Sequence, residues 1–313
     1  MRFLVGFALV LFAACGNDKA ANDPDGHPAG SDSAAGSDAD SPDSPSGYVP
    51  LISRDWAIQA GDTDTYRCVR IQVPSDMWVN GFHAMSPTGT HHMVLTTSST
   101  SSPMGDYDCS AGSLDYQMIY AAGIATDDLV FPDGVAIHLT AGMYINLNLH
   151  LYDATDGDLS GTSGVMVKTI PAADVVNPAD MVFSGTGQIS IPSDGQDHSV
   201  TGGCTAPTDW HLFALWPHMH KTAVHQKWTY QPSGGSLTTL LDVDYMFTEQ
   251  KNYPVAETVI PSGATITTTC TYNNSTGHTV SFGESSDDEM CFTGMYKYPA
   301  GGDLFQCVQG GGF

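Results

Sequence analysis

The stretch from Tyr144 to Tyr152 constrains the fold more than any other. Ile145, Leu147, Leu149 and Leu151 alternate with Tyr144, Asn146, Asn148 and His150. A period of two is that of a strand with one face in a core; a helix would scatter these residues around its axis. Elsewhere the chain runs in short alternating segments separated by turn signals such as Ser-Pro-Thr-Gly, Pro-Asp-Gly, Pro-Ser-Gly-Gly and Pro-Ser-Gly-Ala. No stretch keeps a helical period for long. This pattern predicts an all-β protein of two tandem antiparallel β-sandwiches, jelly-roll-like. A break near Ile170-Pro171-Ala172 divides them into 48–171 and 172–313, and a length of 313 residues is enough for two cores.

The N-terminus reads as an address. Arg2 precedes an apolar run from Phe3 to Ala14, too short for a permanent span, so 1–15 is expected to be a signal peptide. Leu11-Phe12-Ala13-Ala14-Cys15 resembles a bacterial lipoprotein cleavage box, which implies a lipidated Cys15; ordinary secretion, with Cys15 inside the signal, is the alternative. Residues 16–47 are mostly Ala, Ser, Asp, Gly and Pro without apolar periodicity, the composition of a disordered acidic tether. The expected location is the bacterial cell envelope, extracytoplasmic at the outer membrane or cell surface. Membrane contact would then be through the lipid anchor only. With 34 acidic against 10 basic residues and a formal charge of −24, nucleic acid and anionic membrane surfaces are excluded as partners.

With Cys15 set aside, Cys68, Cys109, Cys204, Cys270, Cys291 and Cys307 remain. An even number in an exported chain points to disulfides, although six cysteines allow fifteen pairings and sequence does not choose among them. The ligand candidates are histidines. Trp210–Lys221 is apolar enough for a buried strand, yet it ends in His218-Met219-His220, and residues two apart in a strand point the same way. His91-His92 can share an ion only at a bulge or strand end, which the preceding Ser86-Pro87-Thr88-Gly89 makes plausible. His150 is a third candidate in the first half. Met290 lies in Ser-Ser-Asp-Asp-Glu-Met-Cys, a polar setting for an apolar side chain. Singly, each is equally a satisfied histidine or a gap-filling methionine. Together, three imidazoles in one half and two imidazoles with a thioether in the other favour copper, because thioether sulfur prefers Cu(I). Zinc would more often use Cys or carboxylate.

Asp64-Thr65-Tyr66-Arg67-Cys68, His91-His92-Met93, Asn148-Leu149-His150, His218-Met219-His220 and Ser285-Ser286-Asp287-Asp288-Glu289-Met290-Cys291 occur in an order that resembles the copper type II, ascorbate-dependent monooxygenases. These include the peptidylglycine α-hydroxylating and dopamine β-hydroxylating enzymes, and the resemblance covers nearly the whole chain beyond the tether. It implies two copper ions: one for electron transfer on His91, His92 and His150, and one that binds oxygen on His218, His220 and Met290. It also implies the pairings Cys68–Cys109, Cys204–Cys307 and Cys270–Cys291. The implied reaction hydroxylates a substrate C–H with O2 and electrons from ascorbate or a similar reductant.

Three departures bear on the substrate. Where peptide-amidating members hold the substrate carboxylate with an Arg and a Tyr, this chain has Trp216 and Gly294, and Phe292 replaces a polar Asn. Trp216 and Phe292 are therefore expected to bind a neutral or aromatic small molecule rather than a glycine-extended peptide. The competing reading is a non-catalytic copper-binding lipoprotein for storage or scavenging; a copper-free adhesive sandwich would leave the ligand set unexplained. His83, His138, His198, His211, His225 and His278 are expected to be structural or surface residues. Oligomeric state is not legible.

Overall fold

The computed structural model describes residues 45–98, 100–113, 117–124 and 126–310. Residues 1–44, which include Cys15, the expected signal peptide and most of the expected tether, lie outside the described residues. Residues 46 and 47 form a turn into the first strand, in which the Tyr48 N–H donates to the Pro45 carbonyl at 3.1 Å. Among the described residues the regular structure is β throughout, apart from one 3-10 turn at Ala172–Asp174.

Four large sheets stack as two sandwiches. In the first half, one sheet runs Val49–Ile58, Leu159–Ile170, Met77–Met85, Val135–Leu139 and Asn177–Pro178, with Leu129–Val130 also on Met77–Met85. The facing sheet runs Gly105–Asp108, Thr65–Gln72, Tyr144–Leu151, Thr90–Ser98 and Gln117–Gly123. In the second half, one sheet is Tyr253–Ile260, Trp210–His218, Cys291–Tyr298, Asp180–Thr186 and Cys307–Gln309. The other is Asp197–Thr205, Thr265–Asn273, Ala223–Gln231 and Thr238–Asp244. Neighbours are antiparallel except for Asn177–Pro178 against Val135–Leu139 and Asp180–Thr186 against Cys307–Gln309. Because Asn177–Pro178 pairs with the first half, the changeover falls after it, beyond the Ile170-Pro171-Ala172 break.

The strand Tyr144–Leu151 sits in the middle of its sheet and is buried on both faces. Ile145, Leu147, Leu149 and Leu151 fill the core. Asn146, Asn148 and His150 are also buried, the two asparagines beneath the 105–113 segment and His150 against Tyr66 and Asp64. That segment satisfies the amides: Asn146 donates to the Ser113 carbonyl at 3.2 Å and accepts from the Tyr107 hydroxyl at 2.7 Å, and Asn148 donates to the Ser110 carbonyl at 2.9 Å. Buried amides without such partners would cost about 1–3 kcal/mol each. The Cys68–Cys109 disulfide ties the segment to the neighbouring strand; the other bridges are Cys204–Cys307 and Cys270–Cys291.

The halves share apolar packing. Phe131 meets Phe213 at 4.8 Å and Tyr296 at 6.0 Å between ring centroids, so the main core of the first sandwich continues into the second. Within the second half, Gly185 and Gly202 bring the two sheets into backbone contact. A side-chain carbon at Gly202 would overlap the Gly185 carbonyl of the facing sheet, and one at Gly185 the Cys291 carbonyl of the neighbouring strand.

Candidate metal centre

Each half brings histidines to the junction by its own route. In the first half the ladder between Thr90–Ser98 and Tyr144–Leu151 pairs His92 with His150. A register shift between Thr90 and His92 puts His91 in a bulge, so two successive residues join one cluster. One ring nitrogen from each of His91, His92 and His150 lies within 4.8 Å of the other two. In the second half Trp210–His218 ends at His218, and His220 lies just past it. Their rings meet edge to face with centroids 5.3 Å apart. Tyr245 fixes this bend: its hydroxyl donates to the Met219 carbonyl at 2.7 Å and accepts the Met219 N–H at 3.1 Å.

The partners of these rings fix their tautomers. A carbonyl can only accept, so the contact of 2.8 Å between His91 Nε2 and the Phe247 carbonyl protonates Nε2 and leaves Nδ1 bare. His150 Nε2–H donates to Asp64 Oδ1 at 2.9 Å, and its Nδ1 is buried without a partner. By the same logic His92 Nδ1–H donates to the unprotonated His91 Nδ1 at 2.9 Å, while the His150 Nδ1 has no partner. In the second set the other nitrogen is bound: His218 Nδ1–H donates to Gln250 Oε1 at 3.0 Å and His220 Nδ1–H to the Asp288 carbonyl at 3.2 Å. This leaves Nε2 bare on both. Ligand imidazoles in metal sites are held in the same way, with the outer N–H given to a carbonyl or carboxylate. The orphaned Nδ1 of His150 and the bare nitrogens around it fit a metal such as copper.

The Met290 backbone is tied to the His-x-His bend through Glu289. The fully buried Glu289 carboxylate accepts from the N–H groups of His220 at 2.9 Å, Thr222 at 2.7 Å and Met290 at 3.3 Å, and from the Thr222 hydroxyl at 2.8 Å. One side chain thus binds both the His-x-His bend and the methionine backbone. Burial pushes the Glu289 carboxyl up to about 7 against those hydrogen bonds. Asp64 is held below the ordinary carboxylate value: burial alone would raise it, but bonds from His150 and Ser286 prevail. Ser286 donates to Asp64 at 3.0 Å, tying the methionine loop to the first half.

Burial pushes His91 and His220 down to about 3, His218 to about 4, and His92 well below its usual value; nearby imidazoles reinforce His91, His92 and His220. These side chains are neutral at pH 7, as metal ligands must be. Between their unfolded value near 6.5 and these folded values, the unfolded chain binds more protons than the folded one. Stability is therefore complete above about pH 6.5 and is lost as pH falls towards 4. The melting temperature of the metal-free protein is expected to drop across that window. A flat profile from pH 7 to 4 would show that the imidazoles are not buried as described.

The two sets adjoin. His92 and His218 are 5.6 Å apart, edge to face, which leaves no room for a molecule between those rings. The segment 245–252 crosses from the second half to both sets through Phe247 and Gln250, and Gln250 also accepts the Gly123 N–H at 2.9 Å. Trp216 and Phe292 are core residues, only 1% and 4% exposed. Trp216 stacks on His218 at 4.8 Å, and Phe292 packs on Phe183 at 5.6 Å. The space left by Gly294 is taken by Met181. His83, His198, His211 and His225 each contact a carboxylate within 3.0 Å, away from the ligands. Sequence reasoning missed Tyr245, Phe247, Gln250 and the roles of Asp64 and Glu289. The last two stood in quoted motifs; Phe247 acts through its backbone and left no signal.

Residues 178–311 match the family described as copper type II ascorbate-dependent monooxygenase, C-terminal domain. No curated protein matches the chain. Among solved structures it is similar to the infectious bursal disease virus Gx strain, at 13% identity over 81% of this chain and 74% of that one, with a TM-score of 0.21. It is also similar to particles derived from infectious bursal virus, at 12% identity over 80% and 70%, with a TM-score of 0.20. Scores of this size do not define a shared fold.

Proposed function

Because residues 178–311 belong to the C-terminal domain family of copper type II ascorbate-dependent monooxygenases, we propose that this chain is a copper monooxygenase. It hydroxylates a C–H bond of a small substrate with O2 and a one-electron reductant such as ascorbate. The observation that carries the reading is the pair of imidazole sets with unprotonated, buried nitrogens: Nδ1 of His91 and His150 in the first, Nε2 of His218 and His220 in the second. His91, His92 and His150 would hold one ion; His218, His220 and Met290 would hold the other. When bound, copper supplies one-electron transfer and oxygen activation.

The chain's own residues prepare both sites. Phe247, Asp64, Gln250 and Asp288 accept the outer N–H groups and so aim the bare nitrogens inward. Glu289 keeps the thioether residue beside the imidazoles. An oxidising, extracytoplasmic location, with Cys15 as lipid anchor, is part of the same proposal; three disulfides support the compartment.

The contact between His92 and His218 favours a second reading, in which the chain holds copper without catalysis. Oxygen uptake separates the two. The copper-loaded protein is expected to bind two ions per chain and to consume O2 with ascorbate, faster when a neutral or aromatic substrate is present. Two tightly bound coppers with no substrate-dependent uptake across such a panel would leave storage as the function.

A further inference from the structure

A pocket of about 480 Å³ opens at the junction between the halves, behind His150. Its floor is the start of the strand Thr65–Gln72, one wall is the disulfide loop at Cys109–Ala111, and the other is Glu284–Ser285 of the second half. Two lining residues touch the metal-ligating ring. Tyr66 lies across the ladder from His150 and stacks on it, centroids 4.5 Å apart and planes 6° from parallel. Asp64 holds its Nε2–H at 2.9 Å. A molecule in this pocket is thus one ring stack or one hydrogen bond from an imidazole whose other nitrogen faces the first metal set.

The lining is polar and carries charged side chains, which suits a small polar molecule. Arg67 gives one N–H to the Tyr66 carbonyl at 3.0 Å and pairs with Asp108 at 3.5 Å, so part of its fork of donors stays free for an oxyanion. Ser110, Ser285 and the Glu284 carboxylate offer partners for hydroxyl groups. Asp64 and Glu284 repel multiply charged anions.

We propose that this pocket docks the electron donor, a small ene-diol or catechol carrying at most one negative charge, and that its electron enters the first copper through Tyr66, Asp64 and His150. The inference rests on the monooxygenase reading above. In each transfer one donor O–H gives up an electron and a proton. A Cu(II) held by His91, His92 and His150 would take up that electron as Cu(I), and the proton would leave to water at the pocket mouth.

The test follows the loss of the Cu(II) electron paramagnetic resonance signal after anaerobic mixing of the copper-loaded protein with ascorbate or catechol. The wild-type rate is expected to saturate with donor concentration. Ala111→Trp, which fills the pocket, and Arg67→Gln are each expected to raise the half-saturating concentration about tenfold. Reduction by dithionite, which needs no docking, should not change. Linear, unsaturable reduction that is equal in all three proteins would overturn the port and leave the enzyme reading standing. A wild type that loads no Cu(II) at the first set would overturn both.

Discussion

Glu289→Ala is expected to lower the stability of the folded chain by about 3–5 kcal/mol and to strip the second metal set of its geometry. The residue is fully buried and accepts four hydrogen bonds from three residues, His220, Thr222 and Met290. Removing it leaves four donors facing a cavity, and each one left unpaired costs about 1–3 kcal/mol before relaxation or entry of water. Against a total stability of about 5–15 kcal/mol the loss is large. Glu289→Gln keeps one acceptor oxygen, so about 1–3 kcal/mol is expected for it. Urea titration reads both as a shift in midpoint at constant slope. Copper affinity of the second set should fall about 10–100-fold in the glutamine variant, as for other residues that orient ligands. Near-wild-type stability of the alanine variant would mean that the His-x-His bend is held by Tyr245 alone.

That result would bear on what the sequence could say about the site. The alternation in Tyr144–Leu151 reveals the strand and its core face, because apolar periodicity is a local property. It does not reveal that Asn146, Asn148 and His150 are buried too. For the asparagines that depends on the 105–113 segment folding over them, pinned by a disulfide that spacing alone does not assign, and for His150 on Tyr66 stacking against it. The His91-His92 pair requires a bulge or strand end to serve one ion, and the ladder has a register shift there.

His-x-His is a different case. A period of two explains why both imidazoles could share a face, yet His220 lies beyond the strand and its ring stands at 89° to that of His218. Tyr245 and Glu289, 25 or more residues away in sequence, set that bend. Phe247 was illegible in principle, since any residue supplies the carbonyl that protonates His91 Nε2. The departures point to Trp216 and Phe292 as substrate-facing; in the fold both are buried, Trp216 stacked on His218 and Phe292 against Phe183. Two readings were possible for an aromatic in that strand, and only the burial distinguishes them.

The largest effects on chemistry are expected from Met290→Ile and His150→Ala, which divide the two sets. Met290 is half-buried; its backbone is held by Glu289 and by the Tyr272 hydroxyl, which donates to the Met290 carbonyl at 2.7 Å. None of those bonds uses the side chain. Isoleucine replaces it at similar volume, for which about 1.5 kcal/mol or less is expected, so the fold survives. What is lost is the thioether, the one soft ligand in either set. The variant should keep copper on His91, His92 and His150, lose Cu(I) and carbon monoxide binding on His218 and His220, and lose oxygen uptake by more than about 100-fold. His150→Ala acts on the other side. It removes one bare nitrogen of the first set and the donor to Asp64, which keeps its bond from Ser286. Copper at the first set should be lost, while the reduced second set still binds carbon monoxide. Metal analysis with carbon monoxide titration reads both variants against the wild type. A wild type that holds a single copper, or a Met290→Ile protein with unchanged oxygen uptake, would end the two-site reading. So would a His150→Ala protein that loses carbon monoxide binding while remaining folded. With His92 and His218 only 5.6 Å apart, that last outcome would mean the five imidazoles act as one centre.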